Sequence, residues 1–368
     1  MKTQTTRVTS SLVMAVATTL CLGIGAGMPQ AKAEPYTQLL SVSNVGSQEA
    51  SGYYIPQKMG YFAEEGLEVT MQPTSGGTQE IQLLLAGRGN AGSVSVASLM
   101  QAVQAGLKIK GVYLSQRHHG TSLAVLDDGP IKTPQDFKGK NIGTFSTTSS
   151  RNFDGQAMVA AAGLDPQKDV SWVPVGVGVQ AMTALKNGSV AGLILWDNAY
   201  VGIENLGTKL RYFNFPFQDN LVGFAMIASE KRLEDPAERK KIIGYLKGLA
   251  KGALFSQVNP DAAACIYMEV SGRVKTSKDP AKERSDETGI IKQNSIAAAV
   301  KEGDTDIGSF PKDKMEKTQQ YYKDQGILKE IVSVEEYFVS DPEFYKAIND
   351  FDQAKVIADA KNYPSCKK

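Results

Sequence analysis

The stretch with the densest chemistry runs from Asn141 to Gly163, NIGTFSTTSSRNFDGQAMVAAAG, where a β-like run ends in hydroxylated residues and opens a helix. Thr144, Ser146, Thr147, Thr148, Ser149 and Ser150 offer hydroxyls, and Arg151 adds a full positive charge. The first backbone N–H groups of a helix lack intrahelical partners and carry the positive end of its dipole, so this combination makes a socket for an anion or polar ligand. A plainer reading makes Ser149 or Ser150 an N-cap and leaves its neighbours in solvent. Repetition favours the socket. Thr74-Ser75-Gly76-Gly77-Thr78 precedes the helix-like QEIQLLLAG, and Ser95, Ala97 and Ser98 open another helix after a short strand.

If these junctions surround one pocket, its lining comes from the loops that follow strands. The candidates are Gln48, Ser51 and Tyr53 in the first loop, Thr78 and Gln79 in the second, and Ser95 in the third. Ser146, Thr147, Ser149 and Arg151 come from the socket, and Trp196 and Asp197 from a later strand end. Tyr53, Tyr54, Trp196 and Phe224 could clamp a flat or apolar body, although buried aromatics are first of all core material. Arg117 and Arg151 could each grip a carboxylate or sulfonate in the bidentate manner of a guanidinium; for Arg117 a surface salt bridge is the competing reading. His118 and His119 are the only histidines. Adjacent residues of an extended segment face opposite ways, so they make a poor joint metal site, and one of them, taken as His118, is expected in the cleft. No metal and no cofactor is expected.

The elements that must hold these residues repeat. Strand Thr37–Val45, helix Tyr53–Glu65, strand Leu67–Pro73, a second helix, strand Asn90–Val96 and a helix ending at Gly106 make one series. Strand Lys140–Phe145, helix Asn152–Ala162, strand Val170–Pro174, helix Gln180–Lys186 and strand Ala191–Trp196 make another. Two β-α-β-α-β series imply an α/β fold with parallel sheets, loops for ligands at the strand C-termini, and a site in the crevice between two lobes. Residues 34–122 with 221–368 are expected to form one lobe and 123–220 the other, with hinges at Thr121–Val125 and Asn220–Gly223. The remainder reads as helical: Asp235–Gln257, a helix capped by Asn259-Pro260-Asp261 through Met268, and Lys312–Gln325. Ser271–Glu287, dense in charge and poor in apolar residues, reads as a surface excursion or mobile loop.

The N-terminus has Lys2 and Arg7, an apolar run Leu12–Ala26 and Ala31-Lys32-Ala33, the pattern of a secretory signal peptide (residues 1–33) cleaved after Ala33. Export to the periplasm follows. Cys21 is preceded by Leu20, too large for lipoprotein processing. Cleavage takes three cations from the 40 that face 39 acids, so the exported chain is near neutral. That balance gives no support for nucleic-acid or membrane-surface binding, which need a basic field. Cys265 and Cys366 would remain, and an oxidising compartment allows them to pair, a bridge of about 4 to 5 kcal/mol in the chain-entropy model, or to stay unrelated thiols.

The series QEASGYYIPQKMGYFAEEGLEV, TSGGTQEIQLLLAGRGNAG, IKTPQDFKGKNIG, ALKNGSVAGLILWDNAY and NPDAAACIYM resembles the periplasmic solute-binding proteins of ABC importers, sulfonate/taurine and thiamine-pyrimidine-precursor type. The resemblance covers about residues 36 to 265. It implies a periplasmic binding protein-like II fold, two lobes joined by two hinge strands, closing as a monomer on one small solute and docking on a permease with its ATPase. Relatives commonly carry Asp where this chain has Asn90 and Ala191, and Ser271–Glu287 has no counterpart. The leading expectation is a small organic anion as solute. A pyrimidine precursor, or an enzyme on the same fold, is the alternative; no G-x-S-x-G, H-E-x-x-H or cysteine near a histidine supports catalysis.

Overall fold

The computed structural model describes Met1 and residues 33–41, 45–147, 149 and 151–364. Contacts divide the chain into Met1–Lys32 and Ala33–Lys368, and the second unit carries the whole of the described fold. The expected signal peptide lies outside the described residues, as does Cys366.

Among the described residues ten strands form: β1 Glu34–Leu40, β2 Leu67–Pro73, β3 Gly92–Ser95, β4 Ile109–Leu114, β5 Thr121–Leu126, β6 Lys140–Thr144, β7 Val170–Pro174, β8 Gly192–Trp196, β9 Leu210–Phe213 and β10 Phe224–Ser229. Helices of eight or more residues are α1 Gly77–Leu85, α2 Val96–Gln104, α3 Arg151–Ala161, α4 Val179–Lys186, α5 Asp197–Asn205 and α6 Pro236–Val258. They continue with α7 Pro260–Val270, α8 Pro280–Ala298, α9 Lys312–Asp324, α10 Pro342–Asn349 and α11 Gln353–Asn362.

The strands divide between two lobes with one design. In the second, the order is β7-β6-β8-β5-β9, with β6 parallel to β7 and β8, and β5 antiparallel to β8 and β9. In the first, β2-β1 is a parallel pair, a Gln38–Ala91 bridge leads to β3, and β3-β10-β4 completes the lobe with β10 antiparallel to both neighbours. The second lobe is thus built from five consecutive strands, and the first takes β10 from beyond them. Strands buried on both faces lose polar alternation: in β8, Ile194 joins one core cluster while Leu193 and Leu195 join the other.

Thr121–Val125, expected as a hinge, lies within β5, where Thr121 is buried and registers with Trp196. The crossings between lobes are the segments after β4 (115–120) and before β10 (214–223). The helix expected at Tyr53–Glu65 is broken at Gly60, which adopts a left-handed φ of 77°. Most of Ser271–Glu287 is helical, which overturns its reading as a loop. Asp279 caps α8 by accepting from the Lys282 N–H at 3.0 Å, and Arg273 pairs with Glu283 at 2.6 Å. Its apolar positions form no stripe, so periodicity gave no helical signal there.

α6 supports the first lobe from behind. Tyr245 stacks on Tyr36 with centroids 4.6 Å apart, and Gly248 and Gly252 present bare backbone to Phe62 and to Ser51. A Cβ on Gly252 would stand 2.0 Å from the Ser51 carbonyl oxygen, so glycine there lets the 47–52 turn press against the helix. Cys265, buried on α7, is disulfide-bonded. Among the described residues, no helix is long and apolar enough to cross a membrane.

Candidate functional site

Between the lobes lies a cavity of about 150 Å³. The first lobe contributes Gln38 and Ser41 from the end of β1, Gln48, Glu49 and Ser51 from the turn after it, and Phe224 from β10. The second contributes Ser149, Arg151, Trp196 and Asn198, and α8 covers a side with Asn294 and Ala298. The lobes touch around it. Ser146 Oγ donates to the Ser75 carbonyl at 3.1 Å, Asn198 Nδ2 donates to Asn294 Oδ1 at 2.9 Å, and Asn294 Nδ2 donates to the Gln48 carbonyl at 2.6 Å.

Arg151 dominates the second-lobe wall. It is the first residue of α3 and only 5% exposed, its backbone N–H donates to Ser149 Oγ at 3.3 Å, and its guanidinium lies 4.0 Å over the Phe224 ring. One Nη donates to Thr121 Oγ1 and the other reaches Gln116 Oε1 at 3.4 Å, while Nε has no partner. Burial lowers the guanidinium pKa from its ordinary value, against the opposing charges of Asp154 and Asp197. Behind it Asp154 accepts from Tyr322 Oη at 2.5 Å and Thr121 Oγ1 at 3.1 Å, with His119 Nε2 3.4 Å away. Burial works to raise the Asp154 carboxyl, but His119, Arg151 and Tyr322 together hold it below its usual range. An arginine fixed by stacking on Phe224 and by hydrogen bonds to Thr121 and Gln116, with donor capacity left over beside a cavity, is built to receive an acceptor.

The first-lobe wall has the opposite character. Glu49 is half-buried, and burial pushes its carboxyl up to about 7. Gln38 is 2% exposed and its side-chain oxygen has no partner. Below them Glu80 is fully buried and accepts from the Ser93 N–H.

The structure brings Gln48, Ser51, Ser149, Arg151, Trp196 and Phe224 to this cavity. It places the other expected residues elsewhere. Tyr53 packs edge-on against Tyr54 in the core. Thr78 is exposed, and Gln79 turns back to accept from the Ser75 N–H at 2.7 Å. Ser95 is a helix cap, accepting from the Ser98 N–H at 3.2 Å. Arg117 is engaged by Asp304 at 3.5 Å and Asp306 at 3.2 Å, the salt bridge that competed with an anion role. His118 is exposed, and its buried neighbour His119 faces Asp154. Ser146 spans the lobes at the rim, Thr147 is exposed, and Asp197 accepts from Ser122 Oγ at 2.6 Å. Sequence reasoning missed Gln38, Glu49, Gln116, Asn198 and Asn294. A glutamine on the buried face of β1 was a signal available for the first; nothing in the sequence marked Asn294. Among the described residues, no group of three or more His, Cys, Asp or Glu could hold a metal ion.

Two lobes of similar strand order, a late strand returned to the first and a cavity between them define the fold of the periplasmic binding proteins. The sequence model of the NMT1/THI5-like family matches residues 47–263, and the chain belongs to that family. No protein of curated function matches it in sequence. Solved structures share the fold at low identity. The periplasmic aliphatic sulphonate binding protein SsuA from Escherichia coli superposes with a TM-score of 0.59 at 16% identity, over 83% of this chain and 92% of its own. The ligand binding component of an ABC-type import system from Staphylococcus aureus gives 0.59 at 13%, over 85% and 98%. The periplasmic nitrate-binding protein NrtA from Synechocystis PCC 6803 gives 0.56 at 12%, over 90% and 89%.

Proposed function

We propose that the protein is an exported, monomeric solute-binding protein that captures a small organic anion between its lobes and delivers it to the permease of an ABC importer. The observation that carries this reading is Arg151: a buried guanidinium on the cavity wall, at the opening of a helix, with an unpartnered N–H. Desolvated donors of that kind favour a negative group, since a charge-assisted hydrogen bond is stronger where water is excluded. Trp196 and Phe224 offer apolar surface for the body of the solute. Two proteins of like fold are named for anions, an aliphatic sulphonate and nitrate, which agrees with the chemistry of this wall.

A thermal-shift screen of the full chain against sulfonates, aliphatic and aromatic carboxylates and pyrimidines tests the reading. A solute at 100 times its dissociation constant stabilises by about 2.7 kcal/mol, a visible rise in melting temperature. Shifts confined to sulfonates or carboxylates are expected. A shift with uncharged pyrimidines alone would remove the anion from the account.

A further inference from the structure

The guanidinium that faces the cavity is supported from outside it. Thr121 Oγ1, which accepts from an Arg151 Nη, itself donates to Asp154 Oδ2 at 3.1 Å, and Tyr322 Oη donates to Asp154 Oδ1 at 2.5 Å. The direction of this chain is forced. An ionised carboxyl only accepts, so the single protons of the Thr121 and Tyr322 hydroxyls both go to Asp154, and a Thr121 lone pair is left to face Arg151. Burial works against ionisation, but His119, Arg151 and Tyr322 hold Asp154 in that form. Thr121, Asp154 and Tyr322 are all buried, and none of them lines the cavity.

The far end of the chain belongs to the other lobe. Tyr322 stands on α9, in one core cluster with Val94 of β3 and with Ala225 and Ile227 of β10, and Ala157 of α3 joins the same cluster. α9 also holds both crossings between the lobes. Thr318 Oγ1 accepts from the Val222 N–H at 3.3 Å, Tyr321 stacks on Phe217 with centroids 4.0 Å apart, and Lys314 Nζ donates to the Arg117 carbonyl at 3.4 Å. We propose that Tyr322, Asp154 and Thr121 are positioning residues, through which a helix of the first lobe fixes the pose of the arginine that the second lobe presents to the solute. This rests on capture by Arg151 and adds what prepares that arginine. Ordering a loose arginine costs rotamer entropy at the moment of binding, and one already fixed has little left to lose. Because the support crosses from one lobe to the other, Arg151 keeps this pose only while α9 is seated against α3.

Arginine side-chain NMR of the full chain tests the proposal without any solute. Hydrogen bonding slows rotation about the Cζ–Nη bonds, so the wild type is expected to show separate Nη signals that vanish in Arg151→Lys, which identifies them. Tyr322→Phe, which removes only the hydroxyl, and Thr121→Val, which keeps the shape without the lone pairs, are expected to average these signals, whereas Thr121→Ser should keep them apart. Tyr337→Phe takes a hydroxyl from the same core that bonds Gln319 instead of Asp154, and should leave them unchanged. Calorimetry with butane-1-sulfonate and pentanoate should then show binding about two- to tenfold weaker in Tyr322→Phe and Thr121→Val than in the wild type, the worth of one neutral hydrogen bond. Averaged Nη signals in the wild type, signals still separate in Tyr322→Phe, or undiminished affinity in both variants would overturn the positioning role. Averaging in Tyr337→Phe as well would also overturn it, as the mark of a core loosened at large. Failure of both probes to bind, with the Nη signals responding as expected, would overturn the anion reading and leave the support of Arg151 standing.

Discussion

α1 and α3 each open after a parallel strand and a run of small residues, α1 after β2 in the first lobe and α3 after β6 in the second, and each places an acid fourth. Glu80 and Asp154 are both buried, yet they are driven in opposite directions. Glu80 has the Ser93 N–H and the Ser41 hydroxyl but no cation, and burial holds its carboxyl well above its ordinary value. Asp154 has His119, Arg151 and Tyr322, which outweigh the same burial. The cause is the company each acid keeps: His119 and Arg151, the first residue of α3, stand beside Asp154, whereas α1 begins with Gly77 and brings no cation to Glu80. The loop hydroxyls follow suit: Thr74 Oγ1 donates to its own lobe's Leu40 carbonyl at 2.7 Å, whereas the second loop delivers Ser149 and Arg151 to the cavity.

The comparison breaks most sharply at Asp154. Asp154→Ala strands Arg151 and His119 and is expected to cost about 3 to 5 kcal/mol at pH 7 in chemical denaturation. Because the folded carboxyl titrates below its unfolded value, its stabilisation is present above the ordinary carboxylate range and is lost as pH falls through the folded value. The cost of the substitution should shrink accordingly below about pH 4. A cost that persists unchanged in acid would show that Asp154 acts by packing rather than charge.

Glu80→Gln should go the other way. A carboxyl whose folded pKa is raised loses stabilising power as pH rises from its unfolded value, near 4.5, towards the folded one. The amide, which can still accept from Ser93, is expected to be more stable than wild type by about 1 to 3 kcal/mol at pH 8, with the gap closing by about pH 4. Melting temperatures measured across that range decide it. A destabilised variant at pH 8 would mean that the charged form is the one the fold uses.

A smaller effect is expected where the lobes meet at α8. Asn294→Ala removes the hydrogen bonds to the Gln48 carbonyl and from Asn198, so solute release should quicken by about two- to tenfold with little change in association. Stopped-flow exchange measures both rates. Slower association with unchanged release would place α8 in the entry path instead of the closed contact.

Much of this scaffold was legible. β2 and β7 match their expected bounds, and β6 and α3 fall within a residue of theirs, because their apolar runs end in Gly or hydroxyl residues that punctuate both sequence and backbone. The site was legible in part, at Gln48, Ser51, Ser149, Arg151, Trp196 and Phe224, which stand in or beside the junctions where strands end. Thr78 and Ser146 had the same local chemistry but point to a surface or a rim, a choice set by packing between lobes. α8 was invisible for a different reason. It is held by a cap, ion pairs and contacts with α7 and α5, none of which leaves an apolar period.

The central claim is that the second of two similar loops, through Arg151, holds the anion. Titration calorimetry of wild type, Arg151→Ala, Arg151→Lys and the first-loop variant Thr78→Ala/Gln79→Ala, with the anion found in the screen, tests it most directly. Arg151→Ala should weaken binding about tenfold to several-hundredfold, and Arg151→Lys should recover part of it, since an ammonium keeps the charge without the planar fork. The first-loop variant should bind within about twofold of wild type, because neither side chain reaches the cavity and exposed substitutions are usually near neutral. Equal affinity of Arg151→Ala and wild type, or a larger loss in the first-loop variant, would contradict the account.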